Sequence, residues 1–106
     1  MGRRSSTGRR SSSLRSAERI AVSIHESGDG HVAEVTVKDR MKTTHIVRVS
    51  RAERDRYGRG DDVADLVKRS FEFLLAREAN TSILRDFDLS TIERYFPEYV
   101  REIRRS

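Results

Sequence analysis

The sequence contains no cysteine and a single proline in 106 residues. The lack of cysteine excludes disulfides, thiolate metal sites, iron–sulfur clusters and cysteine nucleophiles. No run of about 18 apolar residues is present that could span a bilayer. The paired arginines near the N-terminus are followed by serines and not by an apolar export segment. We therefore expect a cytoplasmic protein.

The surplus positive charge lies at the N-terminus. Residues 1–19 carry six arginines against Glu18 alone, which accounts for the whole formal net charge of +5. Acidic and basic side chains are therefore equal in number in residues 20–106. The pI of about 10.2 thus reflects the N-terminal segment and predicts no basic face on the folded domain.

Residues 1–18 consist almost wholly of Arg, Ser, Gly and Thr, and Leu14 is the one sizeable apolar residue after Met1. Such a segment cannot offset its ordering entropy by burial, so we expect a disordered tail. Its arginines could contact the phosphates of RNA, DNA or acidic membranes. The candidate contacts are Arg3, Arg4, Arg9, Arg10, Arg15 and Arg19. A GC-rich genome is an alternative reason for this arginine excess.

Period-two alternation from Ile20 predicts a β-hairpin. Apolar residues alternate with polar ones in both arms, at Ile20, Val22 and Ile24 and then, after the "SGDG" turn, at Ala33, Val35 and Val37. A third strand is expected after a turn near residues 39–40, with His45, Val47 and Val49 on one face. These strands predict a sheet with one apolar face.

Helical signals follow from residue 50 onward. Ser50 and Glu53 form a capping box that opens a short helix, which Gly58 ends. Asp61 or Asp62 caps the main helix, whose wide apolar stripe comprises Val63, Leu66, Val67, Phe71, Phe73, Leu74 and Leu75. A stripe of this width predicts packing against two neighbours.

The C-terminal segment is the expected second neighbour. Ser90 and Glu93 form another capping box by pattern, and an apolar helical face follows, made of Ile92, Tyr95, Phe96, Tyr99, Val100 and Ile103. Pro97 lies off that face and must either kink the helix or divide it in two. The continuous register of the face favours a kink.

The string "SFEFLLAREANTSILRDFDLSTIERYFPEY", which begins at Ser70, resembles a motif near the C-terminus of an uncharacterised family of small prokaryotic proteins. The resemblance covers roughly residues 62–103. The N-terminal strands agree with that family only in general pattern, and the basic tail does not match it. The resemblance implies a shared fold and supplies no activity, cofactor or site residue.

Metal ligands would most plausibly come from His25, His31 and His45. In the hairpin register that pairs Ile24 with Ala33, His25 and His31 lie on opposite faces, and no closely spaced histidine pair occurs. We therefore expect surface or sheet-edge histidines and no metal or cofactor. G-x-S-x-G, H-E-x-x-H, P-loop and dinucleotide-binding patterns are absent, so no catalytic residues are predicted.

These patterns predict an α+β fold with a disordered tail (1–18) and one domain (19–106). The expected order is βββααα, a three-stranded antiparallel sheet with helices on one face. The expected function is non-catalytic binding of a protein partner through the folded domain. The alternatives are a nucleic-acid-associated protein that uses the tail, and a small hydrolase or nuclease without a recognisable motif. The sheet edges could also pair with a second copy, which would give a homodimer.

Deletion of residues 1–18 should leave the thermal midpoint nearly unchanged, because this segment has no periodic apolar pattern that could join the core. Thermal unfolding of the full-length and shortened chains measures this directly. A decrease of about 5 °C or more would correspond to roughly 1 kcal/mol and would make the tail part of the fold.

Overall fold

The computed structural model describes residues 19–58 and 62–105, with side chains through residue 104. The predicted tail, residues 1–18, therefore lies outside the described residues. Three strands, β1 (Ile20–Ser27), β2 (Gly30–Lys38) and β3 (Lys42–Val49), form an antiparallel meander. The predicted pairing of Ile24 with Ala33 is confirmed.

The β1–β2 turn requires glycine at two positions. Gly28 has a φ of 58°, in the left-handed region that side chains with a Cβ atom disfavour. Gly30 lies against the end of β3, where an added Cβ atom would stand 2.5 Å from the carbonyl oxygen of Val49. The second glycine therefore allows the turn to pack closely on the neighbouring strand.

The helices alternate with short irregular segments and one further strand. They are α1 (Arg51–Glu53), which continues as a π-helical turn (Arg54–Gly58), α2 (Val63–Leu75), a 3₁₀ turn (Asn80–Ser82), β4 (Asp86–Asp88), α3 (Ser90–Tyr95) and α4 (Tyr99–Arg105). Of the two candidate caps for α2, Asp62 accepts a hydrogen bond from the backbone of Asp65. Asp61 lies outside the described residues.

Helix α2 packs against the sheet on one side and the C-terminal helices on the other, as its wide apolar stripe predicts. The Phe71 ring lies 5.3 Å from the ring of His45 in β3. The Phe73 ring lies 5.2 Å from Tyr99 and 5.9 Å from Phe96, measured between ring centroids. The core is therefore continuous through both sides of α2.

The sheet has four strands and is mixed, so the expectation of a three-stranded antiparallel sheet is wrong. β4 pairs with β3 in parallel, with Phe87 opposite Val47. Phe87 is buried, while the flanking Asp86 and Asp88 carboxylates both bond to the guanidinium of Arg48. The buried Phe87 ring and the ion pairs with Arg48 thus hold this three-residue strand against β3.

The C-terminal segment is divided into two helices, so the predicted kink at Pro97 is also wrong. A residue that precedes proline disfavours the helical conformation, and Phe96 adopts φ −133° and ψ 85°. Helix α4 begins at Tyr99, whose amide donates a hydrogen bond to the Phe96 carbonyl. Ile92, Tyr99 and Ile103 are buried as expected, whereas Tyr95 is exposed.

One of the two predicted capping boxes is present. Ser50 and Glu53 exchange the expected side-chain to backbone hydrogen bonds. The Ser90–Glu93 box is wrong, because the Glu93 carboxylate bonds to Arg56 and Tyr57 instead. The Ser90 amide donates to the second carboxylate oxygen of Glu53, at 2.9 Å. Glu53 therefore accepts from the N-cap residue of α1 and from the first residue of α3.

Glu53→Ala should lower the free energy of unfolding by about 1–2 kcal/mol, because two amide groups lose their acceptor. Urea denaturation of the variant beside the parent measures this change. Glu72→Ala, at an exposed position on α2, is the control and should stay within about 0.5 kcal/mol of the parent. Equal effects of the two substitutions would contradict the double role of Glu53.

Candidate functional site

The predicted phosphate-contact residues fall almost wholly outside the described ranges. Arg3, Arg4, Arg9, Arg10 and Arg15 lie in residues 1–18. Arg19 is described, and its guanidinium lies 3.4 Å from the Asp39 carboxylate in the β2–β3 turn. The structure therefore places the start of the folded domain beside that turn.

The three histidines do not converge. His25 pairs with Val32 and His31 with Glu26, on opposite faces of the hairpin as predicted. His45 is fully buried in β3, so the expectation of a surface or sheet-edge histidine is wrong at this position. The His, Asp and Glu side chains of the described ranges form no group of three that could hold a metal ion.

His45 belongs to a buried hydrogen-bond chain. Its Nδ1 atom donates to the carbonyl of Leu84 at 2.7 Å, so Nε2 accepts from the Thr43 hydroxyl at 2.8 Å. The Asn80 amide donates to the Thr43 oxygen and to the Met41 carbonyl, each at 2.9 Å. This chain uses the neutral imidazole fully and holds residues 80–84 against β3. We interpret it as structural.

Charged side chains of β3 and β4, and of the π-helical turn and α3, are paired with one another. Hydrogen bonds to Asp86 and Asp88 raise the pKa of Arg48. Hydrogen bonds from Arg56 and Tyr57 lower the pKa of Glu93, and burial together with the bond to Glu93 raises the pKa of Tyr57 to about 12. These shifts stabilise the charge states that the groups already have at neutral pH.

An open depression lies where β1, β2 and β3 meet α1. It is lined by polar and apolar residues, namely Ser27, Gly30, His31, Val32, Arg48, Val49, Ser50, Glu53 and Asp88. Arg48 is already bonded to Asp88, and Glu53 to the Ser50 and Ser90 amides. Its strongest binding groups are therefore occupied, and the depression is a weak candidate for a ligand site.

An apolar groove between α2, β4 and α3 is the stronger candidate. It is lined by Leu74, Glu78, Ile83, Leu84, Phe87, Thr91, Ile92, Tyr95 and Phe96. Most of its floor is buried core, but Leu84 is 47% exposed and Tyr95 is 67% exposed. With Met41, these are the exposed large hydrophobic residues of the described ranges. Two of the three therefore border one groove.

The periodicity of the sequence assigned Tyr95 to the core and so missed the groove. A continuous helix through Pro97 would align Tyr95 with Tyr99, but the break at Phe96 ends that register. Ile92 and Phe96 turn inward, and Tyr95 is left at the groove rim. Pro97 is the residue that could have revealed the groove, if it had been interpreted as the end of a helix and not as a kink.

The groove is small. Its cavity volume is about 30 Å³, whereas sites for cofactors and drug-sized ligands usually enclose about 300–1,000 Å³. A side chain of another molecule could therefore pack on the groove but could not be enclosed by it. None of the helices in the described ranges has the length and apolar character needed to cross a bilayer.

A scan against protein-family models and searches of curated proteins and of solved structures found no match for this chain. The resemblance to the prokaryotic family stays a prediction.

The buried His45 predicts a pH dependence of stability. Burial lowers the pKa of His45 below its usual 6.5, so the unfolded chain takes up a proton at higher pH than the folded protein. Its contribution to stability is therefore present above about pH 7 and decreases as the pH falls below about 6.5. Urea denaturation between about pH 7.5 and about pH 5.5 should show this decrease.

His45→Gln should destabilise the domain at about pH 7.5 and remove most of the pH dependence in this range. His25→Gln, at an exposed position on β1, should leave both unchanged. An unaltered pH dependence in His45→Gln would show that other groups cause it.

Proposed function

We propose that this chain is a small non-catalytic binding protein that engages a protein partner through the groove between α2, β4 and α3. Tyr95 and Leu84 are the contact residues at the rim, and one apolar side chain of the partner packs against them. The exposure of Tyr95 beside a buried floor is the observation that carries this proposal.

The exposed residues at the rim support binding to a protein. Tyrosine is enriched at the centres of protein interfaces, where its ring supplies apolar contact area and its hydroxyl a polar group. Tyr95 is the last residue of α3, and its neighbour Phe96 packs on Phe73. Burial of the Tyr95 ring and the Leu84 side chain on binding would remove apolar surface from water and would cost little conformational entropy.

The groove is also held in a defined shape without a partner. The Leu84 carbonyl accepts the hydrogen bond from His45, and the Arg85 carbonyl accepts from the Ile46 amide at 2.7 Å. These bonds fix the backbone that directly follows the Leu84 side chain. A preformed site loses less conformational entropy on binding, which favours affinity.

Glu78 defines the charge expected of the partner. It is the one charged residue that lines the groove, it is half-buried, and no ion pair of the described residues uses it. A cation that approaches this carboxylate at the groove edge would be favoured by its partial desolvation. The partner segment should therefore present an aromatic or leucine side chain next to lysine or arginine.

A peptide-display selection against the full chain tests this proposal. Selected peptides should share an aromatic or leucine residue beside a basic one. Tyr95→Ser should weaken their dissociation constants at least about tenfold, or roughly 1.4 kcal/mol. Glu78→Gln should weaken basic peptides alone. The stability of Tyr95→Ser should stay within about 0.5 kcal/mol of the parent, because the side chain is exposed.

Met41→Ser is the matched control, since it removes an equally exposed apolar side chain that does not line the groove. Its peptide affinities should equal those of the parent. Peptides that bind Tyr95→Ser as tightly as the parent, or a selection that yields no shared pattern, would contradict the proposed site.

A further inference from the structure

The first strand forms an unprotected edge of the sheet. β1 pairs with β2 alone, and the described ranges supply no strand on its other side. Its eight residues run without a bulge and include neither lysine nor proline, which commonly keep an edge from pairing with another chain. β4, at the opposite edge, has only three residues, with a carboxylate on each side of Phe87. β1 is therefore the edge that is open to a further strand.

The backbone of β1 presents hydrogen-bonding groups at this edge. The β1–β2 turn has two residues, so Ser27 and Gly30, which flank it, form the first hydrogen-bonded pair. Hydrogen-bonded pairs then alternate with non-hydrogen-bonded pairs along an antiparallel ladder. Ser23 thus directs its amide and carbonyl groups toward β2, whereas Val22 and Ile24 direct theirs away from β2, toward the open edge.

Two apolar side chains of β1 are incompletely buried for the same reason. Val22 and Ile24 lie opposite Val35 and Ala33 on the face that packs against α2. Val35 and Ala33 are completely buried, because β2 has a neighbouring strand on both sides, whereas Val22 and Ile24 are only half-buried. A further strand at the edge would therefore complete the burial of these two side chains.

The sequence of β1 suits antiparallel pairing with a second copy of itself. When Ser23 lies opposite Ser23 of the second copy, Val22 of each copy lies opposite Ile24 of the other. The outward amide and carbonyl groups of these residues then meet, as a hydrogen-bonded pair requires. On the other face Ala21 lies opposite His25, and no like charges oppose each other along the strand. The strand is thus complementary to its own copy in both backbone and side chains.

We propose that this chain forms a homodimer in which the β1 strands of two copies pair antiparallel about a two-fold axis at Ser23. The two four-stranded sheets become one continuous sheet, with both α2 helices on the same side of it. An extended peptide of another protein would use the same backbone groups, but the mutual pairing of Val22 and Ile24 favours a second copy. The groove borders β4 at the opposite edge, so both grooves stay open and the two proposals stand or fall separately.

Sedimentation equilibrium of the full chain between about 1 and about 100 μM should show a dimer. Ser23→Lys places two like charges directly opposite each other at the axis and should weaken dimerisation at least about fivefold. Thr44→Lys, at an exposed position of β3 on the same face of the sheet, is the matched control and should dimerise like the parent. Thermal unfolding checks that both variants are folded.

Single cysteines test the register, because the chain has none of its own. In a non-hydrogen-bonded pair the two Cα atoms at position 23 lie about 4.5 Å apart, a distance that a disulfide spans. Ser23→Cys should therefore form a covalent dimer in an oxidising glutathione buffer. Ala21→Cys, at another exposed position of β1, would place the two Cα atoms roughly 14 Å apart and should stay uncrosslinked.

Three outcomes would contradict the dimer. The proposal is wrong if the parent is a monomer over the whole concentration range, if the two lysine variants dimerise equally, or if the two cysteine variants cross-link equally. A parent that stays monomeric but binds an extended peptide along β1 would assign this edge to another protein.

Discussion

Two phenylalanines on α2 bury their rings in different directions, and the rest of the fold depends on this division. Phe71 contacts His45 and Phe87 in the sheet, whereas Phe73 contacts Phe96 and Tyr99 in the C-terminal segment. A chain of this length buries a limited apolar area. It gains a continuous core only because one helix packs on both layers.

The sequence predicts those parts of the fold in which period and propensity act over several residues. The two strands of the β1–β2 hairpin and the stripe of α2 each contain at least three apolar residues at a regular spacing. This local pattern is sufficient to predict the elements and the hairpin register. β4 has no such pattern, since Phe87 is its one apolar residue. The pairing of β4 depends on its ion pairs with Arg48 and on the hydrogen bond between His45 and the Leu84 carbonyl. The spacing of apolar residues cannot reveal such contacts.

The candidate groove was missed for a different reason, because its signal, Pro97, does stand in the sequence. The helical face of residues 92–103 is regular in sequence, but Pro97 changes the backbone at Phe96 and thereby the direction of Tyr95. His45 shows the same limit, because alternation places it correctly on the inner face without showing that Thr43 and Leu84 satisfy both ring nitrogens. The cause is local for Tyr95, since Pro97 follows two residues later, whereas one partner of His45, Leu84, lies far away in the chain.

Every residue that lines the groove comes from residues 74–96, whereas the partners that hold this segment, such as His45 and Arg48, lie in β3. The groove takes its shape only when β4 pairs with β3. This pairing closes a loop of about 40 residues, which costs more conformational entropy than closing either of the two local hairpins. This junction is thus the step that we expect to form last and to open first. A ligand bound in the groove would add its binding free energy to that closure and slow local opening of β4 and α3. Ligand binding in the groove and the folding of the C-terminal half are in this way thermodynamically coupled.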